Sequence, residues 1–402
     1  MRVLTTLVTL GALALPLLAS PSKSNSRPST KKTTQLQIQK VVVGDSDNSD
    51  ETALRLNGFR LISTSPSNKE WMNERDILAL YQSETRFIDL TDGDLDRFAA
   101  LAPPRRHAIP EKPVHKALVD PLLELVDQDN LEKWLTKFTS FKTRYYQSPS
   151  GKESAEWLFT QLNALAKQAD ASKLKVSVRK FEHDWSQPSI IFRLEAAGGS
   201  TEPVVVVSAH QDSTNMWNPW FGAAPGADDD GSGSATIFEA LRVLIDGKFT
   251  PSRPLEFHWY AAEEAGLLGS QKVVADYRQR DVDVAGVFHA DMTGYTPEGK
   301  TEVIGIATDN VDDELEEFVR ELVKVYVKGV KIIDTECGYG CSDHASWTKA
   351  GYPASFTFET SFKESSPYIH STNDVVENIS FEHMEKFVRV AIAFAVELSL
   401  AK

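Results

Sequence analysis

The segment Pro203-Val204-Val205-Val206-Val207-Ser208-Ala209-His210-Gln211-Asp212 is the stretch of this 402-residue chain that says most about its fold. Four consecutive valines bounded by polar residues predict a strand over 203–208 that is covered on both faces. A strand exposed on one face would instead alternate apolar and polar residues. The segment therefore predicts a central sheet flanked by helices.

Strand and helix patterns alternate on both sides of this segment. Apolar residues recur at helical spacing over the predicted helices 130–145, 151–167, 232–245, 267–280, 312–327 and 380–398. Short apolar runs between them predict the strands 174–182, 190–196, 255–261, 284–289, 302–307 and 352–358. This alternation predicts the α/β class, as a three-layer sandwich with a central, mostly parallel sheet.

Ionisable residues gather at the ends of three predicted strands and in two loops. They are His210, Glu263, Glu264 and Asp291 at strand ends, and Asp229 and His370 in loops. In open α/β sheets, ligands bind beyond the carboxyl ends of the strands. The sequence therefore predicts that most of these side chains converge at one edge of the sheet.

The chemistry of these residues favours a metal site. They offer imidazole nitrogen and carboxylate oxygen without sulfur, which suits two zinc ions, with cobalt or manganese as substitutes. The run Asp228-Asp229-Asp230 sets three negative charges side by side, which is unfavourable unless a cation is near. Asp212 can orient the imidazole of His210. Taken singly, His210 could be a core histidine, the aspartates a helix-capping turn and Glu263-Glu264 a solvated loop.

The first 106 residues differ in composition from the rest. Residues 1–20 combine an early arginine, a mainly apolar run and a small-residue end, as in a secretory signal peptide. Residues 21–106 begin with a polar tract and end at Arg105-Arg106, and we interpret them as a propeptide cut near Arg106. The alternatives are an uncleaved anchor and a permanent accessory domain. The catalytic domain is then 107–402, and a secreted, extracellular product is expected.

Charge and cysteine content restrict the partners. The net charge of -14 argues against nucleic acid or an anionic membrane, since either would require a basic surface. Cys337 and Cys341 predict a local disulfide in an exported chain, whereas in a reducing compartment they could bind metal. The sequon Asn378-Ile379-Ser380 is a candidate glycosylation site. A monomer is expected.

Taken together, these motifs resemble the secreted M28 family of co-catalytic zinc aminopeptidases, especially the fungal leucine aminopeptidases, over residues 130–398. The resemblance implies an α/β fold that carries two Zn²⁺ ions per monomer. It also implies their ligands: His210 and Asp291 for one ion, Glu264 and His370 for the other, and Asp229 bridging both.

The resemblance further implies hydrolysis of the first residue from peptides that have a free N-terminus. Glu263 would be the general base, and Tyr339, between the two cysteines, would help to stabilise the oxyanion. A pocket for a bulky apolar side chain is implied at Met292, Phe356, Phe358, Phe362 and Ile369, although aromatic residues there could also be ordinary core. Three alternatives stay open: a glutaminyl-cyclase-like enzyme with one zinc, a metallocarboxypeptidase, and a non-catalytic binding module of the same fold.

Overall fold

The computed structural model describes residues 48–99 and 101–401, all of which belong to one compact unit, Val41–Lys402. The predicted leader, 1–20, and residues 21–47 of the predicted propeptide lie outside the described residues. Within the described part of the chain, no helix is long and apolar enough to cross a membrane.

The segment 48–99, for which the sequence patterns predicted no elements, is folded, and we call it the N-terminal unit. Its elements are α1 (Asn48–Leu56), β1 (Arg60–Ser65), β2 (Asn68–Met72), α2 (Glu74–Gln82), β3 (Ile88–Asp89) and α3 (Asp94–Ala99). The strands form an antiparallel sheet in the order β2-β1-β3. Ile62, Ile77 and Phe87 form its small buried cluster. The unit is ordered because these few apolar residues pack together and against the rest of the chain.

An eight-stranded sheet forms the centre of the molecule. Its strands are β4 (Leu174–Phe181), β5 (Ser189–Ala196), β6 (Val204–His210), β7 (Leu255–Tyr260), β8 (Val284–Ala290), β9 (Val303–Ala307), β10 (Lys331–Thr335) and β11 (Ala354–Phe358). Their order is β10-β9-β11-β8-β6-β7-β5-β4. Four neighbouring pairs are parallel, including β6 with both β7 and β8. Three pairs are antiparallel, so the sheet is mixed.

Helices cover both faces of this sheet. They are α4 (Lys116–Leu123), α5 (Gln128–Phe138), α6 (Pro149–Ala166), α7 (Gly233–Asp246), α8 (Leu268–Gln279), α9 (Asp313–Tyr326), α10 (His344–Lys349) and α11 (Phe381–Leu400). The large core joins one face to α4, α5, α6, α7, α9 and α11. The second core joins the other face to α8 and α10. The α/β sandwich predicted from the sequence is therefore confirmed.

The valine run occupies the centre of the sheet, as its composition predicts. Val204 is 4% exposed, and Val205, Val206 and Val207 are fully buried. Val205 and Val207 contribute to the large core, whereas Val204 and Val206 contribute to the second. Alternate valines thus face opposite helical layers, which is why the strand contains no polar residue until Ser208.

The predicted helix 130–145 is shorter in the structure, because residues near its predicted end make tertiary contacts that a helix would not allow. The helix α5 ends at Phe138. The guanidinium of Arg144 is buried and donates to the carbonyl oxygens of Gln211 and Gly226, both at 2.8 Å. These contacts require an irregular backbone after Phe138. The short β10 and α10 were not predicted either, since five or six residues show too little periodicity.

Candidate active site

Three parallel strands bring ionisable residues to one edge of the sheet. His210 is the last residue of β6, and Asp291 directly follows β8. Glu263 and Glu264 lie in the turn that follows β7. Because β6 pairs in parallel with β7 and β8, these strand ends meet at the same edge. His210, Glu264 and Asp291 are all buried.

Asp229 lies between the two imidazoles. Its Oδ1 is 3.1 Å from Nε2 of His210, and its Oδ2 is 2.9 Å from Nε2 of His370. Asp291 Oδ1 is 3.5 Å from the same His210 nitrogen, and Glu264 Oε2 is 3.0 Å from the same His370 nitrogen. Two groups of three residues therefore share Asp229, and the ligand atoms of each group lie within 4.8 Å of one another.

Backbone contacts fix the position of Asp229. The peptide bond between Asp229 and Asp230 is cis. Asp374 accepts the backbone N–H groups of Asp228 and Asp229 at 2.8 and 3.1 Å. Asp230 accepts the backbone N–H of His210 at 3.0 Å. Of the three consecutive aspartates, the middle one therefore faces both imidazoles, while Asp230 and Asp374 hold the backbone around it.

Asp212 connects His210 to the glutamate pair. Its Oδ1 is 3.4 Å from Nδ1 of His210 and accepts the backbone N–H of Glu263 at 3.0 Å. Its Oδ2 accepts the backbone N–H of Glu264 at 3.2 Å. Glu264 also accepts the N–H of Thr214 at 3.1 Å, whereas Glu263 Oε2 lies 3.9 Å from Nε2 of His210. The two glutamates thus face different imidazoles, as adjacent residues in a turn can.

Burial and crowded like charges shift the pKa values of the site. Burial raises the pKa of Glu264 to about 7, and the neighbouring Asp229 adds to this effect. Burial likewise raises the pKa of Glu263 well above its ordinary value. Burial alone would lower the pKa of His210, but Asp291 and Glu263 raise it well above its ordinary value. A cation bound between these groups would offset their crowded negative charges.

The donor atoms of the site fit zinc. Both ring nitrogens of His210 and Oδ1 of Asp291 are buried, and among the described residues they make no aligned hydrogen bond, although carboxylate oxygens lie 3.1–3.5 Å from the two nitrogens. An unpaired buried polar atom costs roughly 1–3 kcal/mol, and coordination of a cation removes this cost. Imidazole nitrogen and carboxylate oxygen without thiolate match the zinc sites of hydrolases.

Tyr339 lies on the wall of the same cavity as these ligands. Its loop is closed by a disulfide between Cys337 and Cys341. The Tyr339 hydroxyl is 2.7 Å from Oγ of Ser63, and it accepts from Nζ of Lys349 at 3.4 Å. The hydroxyl therefore borders the cleft, but in this structure it is hydrogen-bonded to Ser63 of the N-terminal unit.

Apolar side chains form one wall of the cavity. The wall contains Met292, Phe358, Phe362 and Ile369. The rings of Phe358 and Phe362 are stacked at 4.0 Å. Phe356, which the resemblance places in the pocket, is not part of the wall. It lies two residues further from the end of β11 and is stacked on His344 at 4.5 Å.

The N-terminal unit lies across this cavity, which has a volume of about 930 Å³ and is lined from both sides. Tyr81 donates its hydroxyl hydrogen to the carbonyl oxygen of Glu264 at 2.6 Å. Arg86 donates to the carbonyl oxygen of Cys337 at 3.0 Å, and its guanidinium lies 4.8 Å from the centre of the Phe362 ring. These contacts could not be predicted from the sequence, because Tyr81 and Arg86 belong to no motif.

The candidate glycosylation site lies away from the cavity, just before α11. The Asn378 side chain donates through Nδ2 to the carbonyl oxygen of Asn373 at 2.9 Å. Since Nδ2 is the atom to which a glycan would be attached, modification would leave it a single N–H for this hydrogen bond. Glycosylation of Asn378 stays a prediction.

Known proteins resemble the chain in both sequence and structure. Residues 189–395 match the model of peptidase family M28. Leucine aminopeptidase 1 of Neurospora crassa is 42% identical over 349 residues, covering 85% of this chain and 85% of that protein. Leucine aminopeptidase 1 of Coccidioides posadasii is 42% identical over 351 residues, covering 85% and 89%. The crystal structure of the LapA aminopeptidase of Legionella pneumophila has a TM-score of 0.74 and 31% identity, covering 85% of this chain and 94% of that chain.

Proposed function

The chain belongs to peptidase family M28 and is a zinc aminopeptidase, and we propose that it is secreted, holds two zinc ions and removes bulky apolar residues from peptide N-termini. The observation that carries the two-ion proposal is the pair of ligand groups that share Asp229. The disulfide supports export, because such bonds persist in oxidising compartments. The stacked rings of Phe358 and Phe362 support the apolar preference.

Because the chain is an aminopeptidase, two of the alternative functions, a metallocarboxypeptidase and a non-catalytic binding module, are excluded. A glutaminyl-cyclase-like enzyme with one zinc would need only one of the two ligand groups. Both groups are complete here, since each combines one imidazole with Asp229 and a further carboxylate. This completeness favours two ions.

Zinc supplies Lewis acidity when bound, which polarises the scissile carbonyl and makes water easier to deprotonate. In the proposed mechanism, Glu263 takes the proton of the attacking water on its carboxylate and passes it to the departing amine. Its position suits this task, because Glu263 Oε2 lies 3.9 Å from Nε2 of His210 and lines the same cavity as the ligands. Asp212 keeps the backbone of Glu263 in place. Tyr339 donates its hydroxyl to the developing oxyanion.

A panel of reporter substrates tests this function. We expect the enzyme to cleave leucine p-nitroanilide but not N-acetylated leucine p-nitroanilide. We also expect no release of C-terminal residues from a peptide whose N-terminus is blocked. Chelation should stop the reaction, and added zinc or cobalt should restore it. Cleavage of the acetylated substrate at a similar rate would contradict an aminopeptidase, and activity in excess chelator would contradict metal dependence.

Residues 21–106 are proposed to be an inhibitory propeptide. The contacts of Ser63 with Tyr339 and of Tyr81 with Glu264 support this role, since both touch the cleft. Arg105 is exposed and Arg106 is half exposed, which suits cleavage at this pair. A permanent accessory domain is the rival proposal, and the two differ in what removal of the unit does to activity.

Removal of the N-terminal unit should increase activity. Ile88, Leu90 and Leu95 are buried against Leu267 and its neighbours, a contact worth on the order of 5 kcal/mol. The N-terminal unit should therefore stay packed across the cavity in most molecules, and we expect its release to raise kcat/KM by at least about 100-fold. The measurement compares leucine p-nitroanilide hydrolysis before and after processing.

An Arg105→Ala/Arg106→Ala variant should stay unprocessed and have low activity. The control is Lys112→Ala, which removes a nearby basic residue and should be processed normally. If the unprocessed variant is as active as the shortened chain, the accessory-domain interpretation is correct and the propeptide proposal is wrong.

Replacing Tyr339 with Phe should lower kcat of the processed enzyme by roughly tenfold to a hundredfold. Loss of one oxyanion donor costs about 10²–10³ where no metal assists, and zinc shares this work here. KM should change little, because the aromatic ring is retained. Steady-state kinetics on leucine p-nitroanilide gives both values, and Tyr352→Phe, outside the cavity lining, is the matched control. An unchanged kcat would remove Tyr339 from the mechanism.

A further inference from the structure

Three large aromatic side chains are exposed on one loop, which we call the aromatic loop (residues 213–227). Trp217 is 67% exposed, Trp220 40% and Phe221 75%. The loop contains no Asp, Glu, Lys or Arg, although 25% of the chain is charged. Exposed aromatic groups without interspersed charge are typical of interaction sites. The aromatic loop lies between His210 and Asp229 in the sequence, so both of its ends are within three residues of the candidate metal site.

The aromatic loop has a defined conformation. Asn215 Oδ1 accepts the backbone N–H groups of Trp217 and Asn218 at 3.1 and 3.2 Å, and its Nδ2 donates to the carbonyl oxygen of Ala223 at 2.9 Å. Asn218 in turn accepts the N–H of Phe221 at 3.2 Å. A Cβ added at Gly222 would come within 2.7 Å of the Asn215 side chain. The aromatic rings are therefore held outward by an ordered backbone, and their exposure does not come from a loose segment.

Two hydrogen bonds fasten the aromatic loop to the candidate active site. The backbone N–H of Thr214 donates to Glu264 Oε1 at 3.1 Å, and the backbone N–H of Met216 donates to the carbonyl oxygen of His370 at 3.0 Å. Trp217 follows Met216 directly. The exposed rings are therefore carried by a loop whose backbone is bonded to a glutamate side chain and a histidine carbonyl of the site, so a peptide that leaves the site over this loop contacts them.

We propose that the aromatic loop is an additional binding site for the peptide substrate, which receives apolar side chains downstream of the cleaved bond. The proposal rests on the proposed aminopeptidase function and extends it from the first residue to the rest of the peptide. Aromatic rings gain affinity by covering apolar groups, and a loop without charges loses no ionic hydration when it is covered. The enzyme thereby prefers peptides with apolar downstream residues.

A double variant, Trp217→Ala/Phe221→Ala, tests this site in the processed enzyme. The substrates are Leu-Gly-Gly-Phe-Phe, the matched Leu-Gly-Gly-Gly-Gly, and leucine p-nitroanilide. We expect KM for the Phe-containing peptide to rise about tenfold. We expect kcat for all three substrates, and KM for the other two, to stay unchanged. Leu118→Ala, which removes an exposed apolar side chain on α4, is the control.

Calorimetric binding of Leu-Gly-Gly-Phe-Phe in a Glu263→Gln background tests the loop without turnover. Loss of this binding in the double variant supports the proposal even if the enzyme cleaves no peptide. Binding therefore tests the loop, whereas cleavage tests the proposed aminopeptidase function. Unchanged binding and KM for the Phe-containing peptide would overturn the proposal. An equal loss of activity toward leucine p-nitroanilide would overturn the proposal too, because the loop would then only support the structure of the site. The proposal would also be overturned if the wild-type enzyme is a dimer and the double variant is a monomer, since the loop would then bind a second copy of the chain.

Discussion

Replacing Glu263 with Gln should remove nearly all turnover while the metal content stays the same. The amide has the shape of the carboxylate but cannot take a proton from water, and general base catalysis contributes about 10²–10⁴ in rate. Glu263 is separate from the two ligand groups, so its replacement leaves both groups complete. Steady-state kinetics on leucine p-nitroanilide should therefore show kcat lowered by at least about 100-fold, with KM nearly unchanged.

The exposed Glu298→Gln variant is the matched control for this experiment, since it makes the same chemical change outside the cavity lining and the ligand groups. Metal analysis of both variants separates loss of the base from loss of the ions. A Glu263→Gln enzyme with near-normal kcat would refute the role proposed for Glu263. A loss of ions would show instead that the residue is a ligand.

Replacing Asp229 with Asn should be as damaging, but for a different reason. Each oxygen of Asp229 faces a different imidazole, at 3.1 and 2.9 Å. An amide offers one weakly basic oxygen and no negative charge, so it cannot serve both positions. We expect metal affinity to fall at least about 100-fold and activity to fall to the level seen in chelator.

Metal titration followed by emission spectroscopy of the dialysed protein measures this change. Asp246→Asn, on the surface at the end of α7, is the control and should keep the wild-type content. A far-ultraviolet spectrum verifies folding of both variants. If Asp229→Asn retains two tightly held ions, then the carboxylate does not bridge them.

Much of the fold could be predicted because it depends on regular patterns. The valines of β6 have to be covered on both faces, and the alternation around them requires helices on two sides. The mixed sheet is less predictable, because parallel and antiparallel strands in a buried sheet have similar composition. The N-terminal unit was missed because its order depends on tertiary contacts, such as those of Ile88 and Leu90 with Leu267.

The convergence of residues at the site could be predicted for a similar reason, since strand ends meet wherever parallel strands are neighbours. The finer arrangement could not. Asp374, which accepts the backbone N–H of Asp229, lies 145 residues further along the chain, and no local sequence pattern predicts such a contact. Phe356 and Phe358 are equally apolar in the sequence, and their different positions depend on how far each lies from the end of β11.

Counting the zinc ions bound to the purified, processed enzyme tests the central claim most directly. Each of the two ligand groups around Asp229 should hold one ion. We predict two zinc ions per chain by emission spectrometry, both retained through dialysis and both required for full hydrolysis of leucine p-nitroanilide. Full activity with a single tightly bound ion per folded chain would contradict a shared, two-ion centre.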